Sequence, residues 1–199
     1  MEIRPYRETD RADCYDVCIR TAAAGGDSTG TYSDDALVAE IFCGPYLSYQ
    51  PELAWVVDDG TRAVGYVLGV SDTAAFVAWY QAEVLPGFQR RFPLDPGLSE
   101  VEREMTRLGH DPERMLIPEL AEYPAHLHID LLPAAQGHGL GRALIGTLTA
   151  ALAERGVPGV HLVMDGANVG ASAFYRRLGF NELASSVPSA PVLGIATAR

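Results

Sequence analysis

Residues 131–154 read LLPAAQGHGLGRALIGTLTAALAE. Three alternating glycines, Gly137, Gly139 and Gly141, run straight into apolar residues at helical spacing, Leu140, Leu144, Leu148 and Leu152. Just before them, AHLHIDLLP (125–133) alternates as a strand does. Leu127, Ile129 and Leu131 share one side; His126, His128 and Asp130 share the other. A strand, a glycine turn and a helix in that order gather free backbone N–H groups at the positive end of the helix. Such an end is a ready anion site, and phosphate is the usual anion. Glycines serve because a Cβ would hold the ligand away from the backbone. The same residues also suit a tight turn with only a structural purpose. Two nucleotide motifs are poor fits. A P-loop needs Lys-Ser/Thr after its last glycine, where this chain has Arg142-Ala143. A dinucleotide fingerprint needs a third glycine where Arg142 stands.

Outward from this stretch the chain reads as alternating strands and helices. EIRPY (2–6) is a short strand, and residues 8–23 form a helix with Ala12, Tyr15, Cys18 and Ile19 on one face. A Gly/Ser/Asp-rich loop (24–35) ends in Ser33-Asp34-Asp35, a capping signal for the helix ALVAEIF (36–42). GPYLSYQPE (44–52) reads as a proline-punctuated connection. Residues 53–72 form a hairpin turning at Asp58-Asp59-Gly60. Residues 73–124 read as an insertion of two helical pieces parted by FPLDPGLS (92–99), neither able to bury a core alone. GVHLVMD (159–165) is a buried-type strand. A helix follows, carrying Ala171, Phe174, Tyr175 and Leu178 with Gly179 as its C-terminal cap, and a last strand is expected at 192–196.

The 199 residues suit one domain, and the 48% hydrophobic content allows a core of useful size. A net charge of −11 repels phosphate polymers and argues against a nucleic-acid partner. No apolar run is long enough for a membrane span, and the charged start has no signal-peptide centre, so the cytoplasm is the expected address. Cys14, Cys18 and Cys43 are too few for a disulfide framework and read as apolar helix-face residues; no metal site is expected.

The glycine stretch resembles the GNAT superfamily of acetyl-CoA-dependent N-acyltransferases. Gln136-Gly137-His138-Gly139-Leu140-Gly141 matches that family's Q/R-x-x-G-x-G/A turn, with Pro133 three residues ahead. Downstream, Asn168, Ala171 and Tyr175 stand at the spacing of its N-x-x-A-x-x-x-Y segment, followed by L-G-F. Most of the chain, including RPYRETDRADCYDVC, GPYLSYQPELAWVV and LHIDLLP, is similar to a bacterial group related to the C-terminal acetyltransferase-like domain of animal O-GlcNAc hydrolases. In the animal domain the cofactor turn is degraded; here it is intact.

The resemblance implies an α/β fold with a mixed, mostly antiparallel sheet and helices on both faces. It implies acetyl transfer from acetyl-CoA to a primary amine by direct attack. A non-catalytic acyl-CoA-binding protein of the same fold is the alternative. Residues 136–142 (Gln136, Gly137, His138, Gly139, Leu140, Gly141 and Arg142) would meet the pyrophosphate. The backbone of Ile129, Asp130 and Leu131 would pair with pantetheine where the strand splays, and Asn168 and Ala171 would line the cofactor. Tyr175 would return a proton to the thiolate. The glutamates some members use as base are missing, since Val163 and Ala125 stand at those positions. The chain's own candidates are Asp130 and His128, a water-relayed base remaining open. The loop after the first helix and the insertion would flank the acceptor. Trp79, Tyr80, Phe88 and Phe92 would shape that pocket or form the insertion's own small core. The amine is unidentified, and a homodimer is compatible with the family.

Overall fold

In the computed structural model, residues 1–197 are described. Seven strands form one sheet: β1 (Glu2–Pro5), β2 (Ala54–Asp58), β3 (Ala63–Val70), β4 (Ala125–Leu131), β5 (Gly159–Val163), β6 (Asn181–Glu182) and β7 (Val192–Ala196). Their order is β1-β2-β3-β4-β5-β7-β6, antiparallel at every pairing except β4 with β5. The hairpin and the strand expected at 192–196 lie where the sequence puts them, and the two-residue β6 is added at the edge. β3 is buried along its whole length, as a central strand covered on both sides must be.

The helices are α1 (Arg11–Ile19), α2 (Ala36–Phe42), α3 (Gly44–Tyr49), α4 (Thr73–Trp79), α5 (Leu85–Arg91), α6 (Glu100–His110), α7 (Leu140–Glu154) and α8 (Val169–Leu178). A five-residue π turn at Tyr80–Val84 joins α4 to α5. α7 packs behind the sheet, where a Cβ on Gly69 of β3 would meet Leu148 at 2.6 Å. α1 and α3 cover the opposite face, that of Tyr66, His126 and His128. No helix among the described residues is long and apolar enough to cross a membrane.

Three sequence expectations are corrected. Of the expected α1 face, Cys18 is buried and Tyr15 and Ile19 pack on the core, but Ala12 is exposed; Cys14 and Val17 complete the stripe that meets β3. Residues 44–49 are helical, not a connection. Pro45 sits in the first turn, where its missing N–H leaves no bond unmade, and Tyr46 and Leu47 are buried. The insertion does not hold one core of its own. Tyr80 is buried in the main core with its hydroxyl on the Gly109 carbonyl at 3.1 Å, and Trp79 packs on that core. Phe88 and Phe92 instead close a small cluster with Leu37 and Ile41 of α2.

Under the sheet His126 is buried between two hydroxyls, Thr73 Oγ1 and Tyr46 Oη, each at 2.9 Å. Thr73 gives its own proton to the Pro124 carbonyl, so Nδ1 carries the imidazole hydrogen and Nε2 accepts from Tyr46. Burial holds the ring neutral, well below the usual histidine range, and burial also lowers His161 and His128. A depressed folded-state value means that the unfolded chain takes up the proton first. Stability is therefore complete above the ordinary histidine value and falls as pH drops through it. Each such histidine adds a slope of up to about 1.4 kcal/mol per pH unit below pH ~6.5. Urea melts between pH 8 and pH 5 are expected to lose more stability toward low pH in the wild type than in His126→Gln, by up to that one histidine's share; equal slopes refute the assignment.

Candidate active site

β4 pairs with β3 over six residues, from Gly65↔Leu131 to Val70↔His126. With β5 it pairs at only two, Ala125↔Val160 and His126↔His161. Beyond His126 the two parallel strands part. The Leu132 N–H donates to the Val64 carbonyl at 2.9 Å, so by alternation along the strand the amides of Ile129 and Leu131 face away from β3, toward the opening. This free edge inside a sheet is possible only because the chain turns sharply into α7. Gln136 fastens the turn, its Nε2 donating to the Leu131 carbonyl at 2.9 Å.

At the turn Gly137 and Gly139 have φ of 80° and 77°, the left-handed region that other residues enter at a cost. A Cβ on either would meet no protein atom within 4 Å, so both face open space. Gly141 differs: its Cβ would press on Phe174 at 3.0 Å and Leu131 at 3.3 Å, so its absence lets α7, α8 and β4 close together. The amides of residues 137–142 have no hydrogen-bond partner among the described residues, and no side chain caps α7. These unpaired donors head a 15-residue helix.

The parted strands and the turn wall a cleft of about 610 Å³. Of the residues singled out by sequence, Ile129, Asp130, Leu131, Gln136, Gly137, Gly139, Leu140, Gly141, Arg142, Asn168, Ala171 and Tyr175 all line it. His138 does not; it stands exposed on the crest of the turn. His128 also lies off the wall. The sequence placed the loop after α1 beside the acceptor but named none of its residues; Thr21, Ala24 and Gly25 of that loop form the far wall, and Phe174 and Gly170 were also missed. The paired glycines of that loop were the available signal. Asn168 caps α8, its Oδ1 accepting from the Ala171 N–H at 2.9 Å. Its Nδ2 has no partner among the described residues.

Asp130 and Tyr175 both line this cleft, and burial raises the pKa of each. The Tyr66 hydroxyl donates to Asp130 Oδ2 at 2.7 Å and lies 3.1 Å from His128 Nδ1, itself 3.5 Å from the same oxygen. Because Tyr66 spends its proton on Asp130, Nδ1 is the protonated nitrogen of His128. Burial lifts Asp130 above the usual carboxylate range, with His128 and Tyr66 opposing that shift. The ring of Tyr175 is buried and held edge-on by Phe174 and Phe180, at 5.2 and 5.4 Å. Burial first, and then Asp130, push its phenol well above its ordinary value, so it keeps its proton at any physiological pH. Ala125 is fully buried and Val163 is exposed; neither lines the cleft.

Comparison with known proteins gives this geometry a place. A family model described as an acetyltransferase (GNAT) domain matches residues 114–182. A crystal structure of SsHAT is 52% identical, with a TM-score of 0.93 over 100% of this chain and 98% of that one. Protein O-GlcNAcase of Rattus norvegicus is 25% identical over 185 residues, 92% of this chain; the chain thus spans about a fifth (20%) of the length of the curated relatives it matches first. The [ribosomal protein bS18]-alanine N-acetyltransferase of Escherichia coli (strain K12) is 29% identical over 109 residues, 55% of this chain and 74% of that protein. With likeness along its whole length and the family's glycine turn standing at the split in the sheet, the chain belongs to the GNAT acetyltransferase superfamily.

Proposed function

We propose that this protein moves an acetyl group from acetyl-CoA to a primary amine. The observation that carries the reading is the cleft itself, where a strand's free edge, the unpaired amides of the glycine turn, Asp130 and Tyr175 converge. Bound there, the donor supplies an acetyl thioester, already activated toward nucleophiles.

The chain's residues do the rest. The unpaired amides of residues 137–142 receive the pyrophosphate, with Arg142 exposed beside them. Ile129 and Leu131 offer edge amides to the pantetheine arm, and the Ile129 N–H is aimed to polarise the thioester carbonyl. Asn168 presents its free Nδ2, and Ala171 is small enough to let the cofactor lie against α8. Asp130, its carboxyl lifted above the usual carboxylate range by burial, takes the proton of the incoming ammonium; His128 and Tyr66 orient it. The amine nitrogen bonds to the carbonyl carbon, and the carbon–sulfur bond breaks as Tyr175 protonates the departing thiolate. The second proton lost by the nitrogen restores the Tyr175 phenol, and the proton on Asp130 passes to solvent. The products are an N-acetyl amine and coenzyme A. A cytoplasmic setting, where acetyl-CoA is available, belongs to the same reading.

The test is calorimetric titration with acetyl-CoA, followed by thiol release against a panel of amines. Binding with turnover supports the reading; binding without turnover on any amine leaves the alternative of an acyl-CoA-binding protein; no binding overturns both. Within that assay Tyr175→Phe is expected to lower kcat about 10- to 100-fold, below the full range of general-acid effects because water can partly replace it. Its affinity for coenzyme A should stay within about twofold, since the ring is kept. Full activity removes Tyr175 from the mechanism.

A further inference from the structure

On the side of β4 away from α7, a line of planar groups runs from Tyr66, the hydrogen-bond partner of Asp130, to the insertion. His128 stacks on Tyr66 at 5.9 Å, Phe42 on His128 at 5.5 Å, and the Arg114 guanidinium lies over Phe42 at 5.4 Å. Arg114, Phe42 and His128 are only half-buried, so a molecule arriving from solvent can reach them. Arg114 is an unusual cation here. Its Nε donates to the Leu108 carbonyl at 2.9 Å; Asp111 acts on it at longer range, but no carboxylate lies within ion-pair distance of it among the described residues. Arg91, from the same insertion, pairs with Asp34 at 2.9 Å and with Glu40 at 2.8 Å. Desolvating a guanidinium without a partner is unfavourable, and burial lowers its pKa accordingly. Such a group gains from an anion brought by a ligand, and its planar fork matches carboxylate and phosphate oxygens.

We propose that the acceptor is an amine whose far end carries a carboxylate or phosphate, with Arg114 binding that anion while Phe42 and His128 support the chain between it and Asp130. This rests on the acetyltransferase reading above and names its substrate class. The spacing makes the class narrower. Phe42 packs against both, its ring 5.5 Å from that of His128 and 5.4 Å from the Arg114 guanidinium, so a ligand that touches Arg114 and Asp130 carries its amine and its anion at opposite ends of a chain rather than on one carbon. An ω-amino acid or an aminoalkyl phosphate fits, whereas an α-amino acid is too short.

The experiment compares 5-aminopentanoate, 3-aminopropyl phosphate, alanine and pentylamine. Binding is measured by calorimetry on the coenzyme A-loaded and the free protein, and kcat/KM by thiol release. The chain has no lysine, so acetyl label does not accumulate on its own side chains. Wild type should prefer at least one of the two anionic amines to pentylamine and alanine by about tenfold or more, the scale of a charge-assisted pair. The probe that is favoured tells carboxylate from phosphate. In Arg114→Gln the preference should vanish through KM with coenzyme A affinity unchanged, and Arg114→Lys should restore part of it. Equal binding of all four probes to wild type, or a preference that survives Arg114→Gln, overturns the inference. Loss of coenzyme A binding in Arg114→Gln marks a structural role and overturns it too. Failure of wild type to bind coenzyme A counts against the parent reading instead, and the free-protein titrations still decide the Arg114 site.

Discussion

Gly139→Asp is expected to reduce coenzyme A affinity by at least about 100-fold while leaving the fold intact. The residue stands at φ 77° on the cleft wall, and a Cβ there meets no protein atom within 4 Å. The new side chain therefore does not clash inside the protein. It projects into the space the pyrophosphate needs. A carboxylate about 4 Å from a phosphate is unfavourable by about 4 kcal/mol at the effective dielectric of a protein surface, well beyond the 2.7 kcal/mol that 100-fold requires. Backbone strain adds about 1 kcal/mol to the folded state, and aspartate is among the residues that tolerate this conformation. Gly139→Ala separates the two effects, because it keeps the strain and the added bulk without the charge. A graded loss, glycine over alanine over aspartate, is the expected calorimetric result. Unchanged binding in Gly139→Asp removes the cofactor from this turn.

Asp130→Asn should lower kcat by about 100-fold or more, the lower bound of a general-base effect. Asparagine keeps the shape and can still accept the Tyr66 hydroxyl that Asp130 accepts at 2.7 Å. What it loses is the ability to take a proton. The second readout is stability. Burial raises the folded pKa of Asp130 above its unfolded value, so the folded state binds that proton more tightly. Its ionisation therefore weakens the fold, and the loss grows as pH rises above the unfolded carboxylate value of about 3.9. At pH 7 the asparagine variant should melt at the wild-type temperature or above while turning over far more slowly. Asp130 would then be a residue kept for chemistry at some expense in stability. The wild-type rate should rise with pH through the raised Asp130 value, and the variant should lose that limb. A variant that melts lower and keeps its rate makes Asp130 structural.

The candidate site was more legible than the packing around it. The turn at Gly137–Arg142 and the Asn168–Tyr175 segment are local patterns, each contained in one strand-to-helix or helix unit, so their spacing survives in one dimension. The cap at Gly179 (φ 95°) and the strand at Val192–Ala196 were readable for the same reason. Helix 44–49 was not, because its proline and glycine suit a loop equally well and only burial of Tyr46 and Leu47 decides the matter. The α1 face was legible only in part, with Ala12 misplaced and Cys14 and Val17 left out, because an apolar stripe in a nine-residue helix can be drawn in more than one way.

By itself, the sequence determined the order of elements, the conformationally special glycines and the chemical types available at the cleft. Those follow from local sterics and periodicity, which act over a few residues. Tertiary structure alone decided that β4 and β5 part after two pairs, that Thr21–Gly25 form the far wall, and that Tyr66 stands between His128 and Asp130. It also decided that Arg114, more than 70 residues from Phe42 in the chain, lies over that ring without a carboxylate partner. Contacts of that range depend on how helices and strands pack against one another, and no spacing along the chain records them.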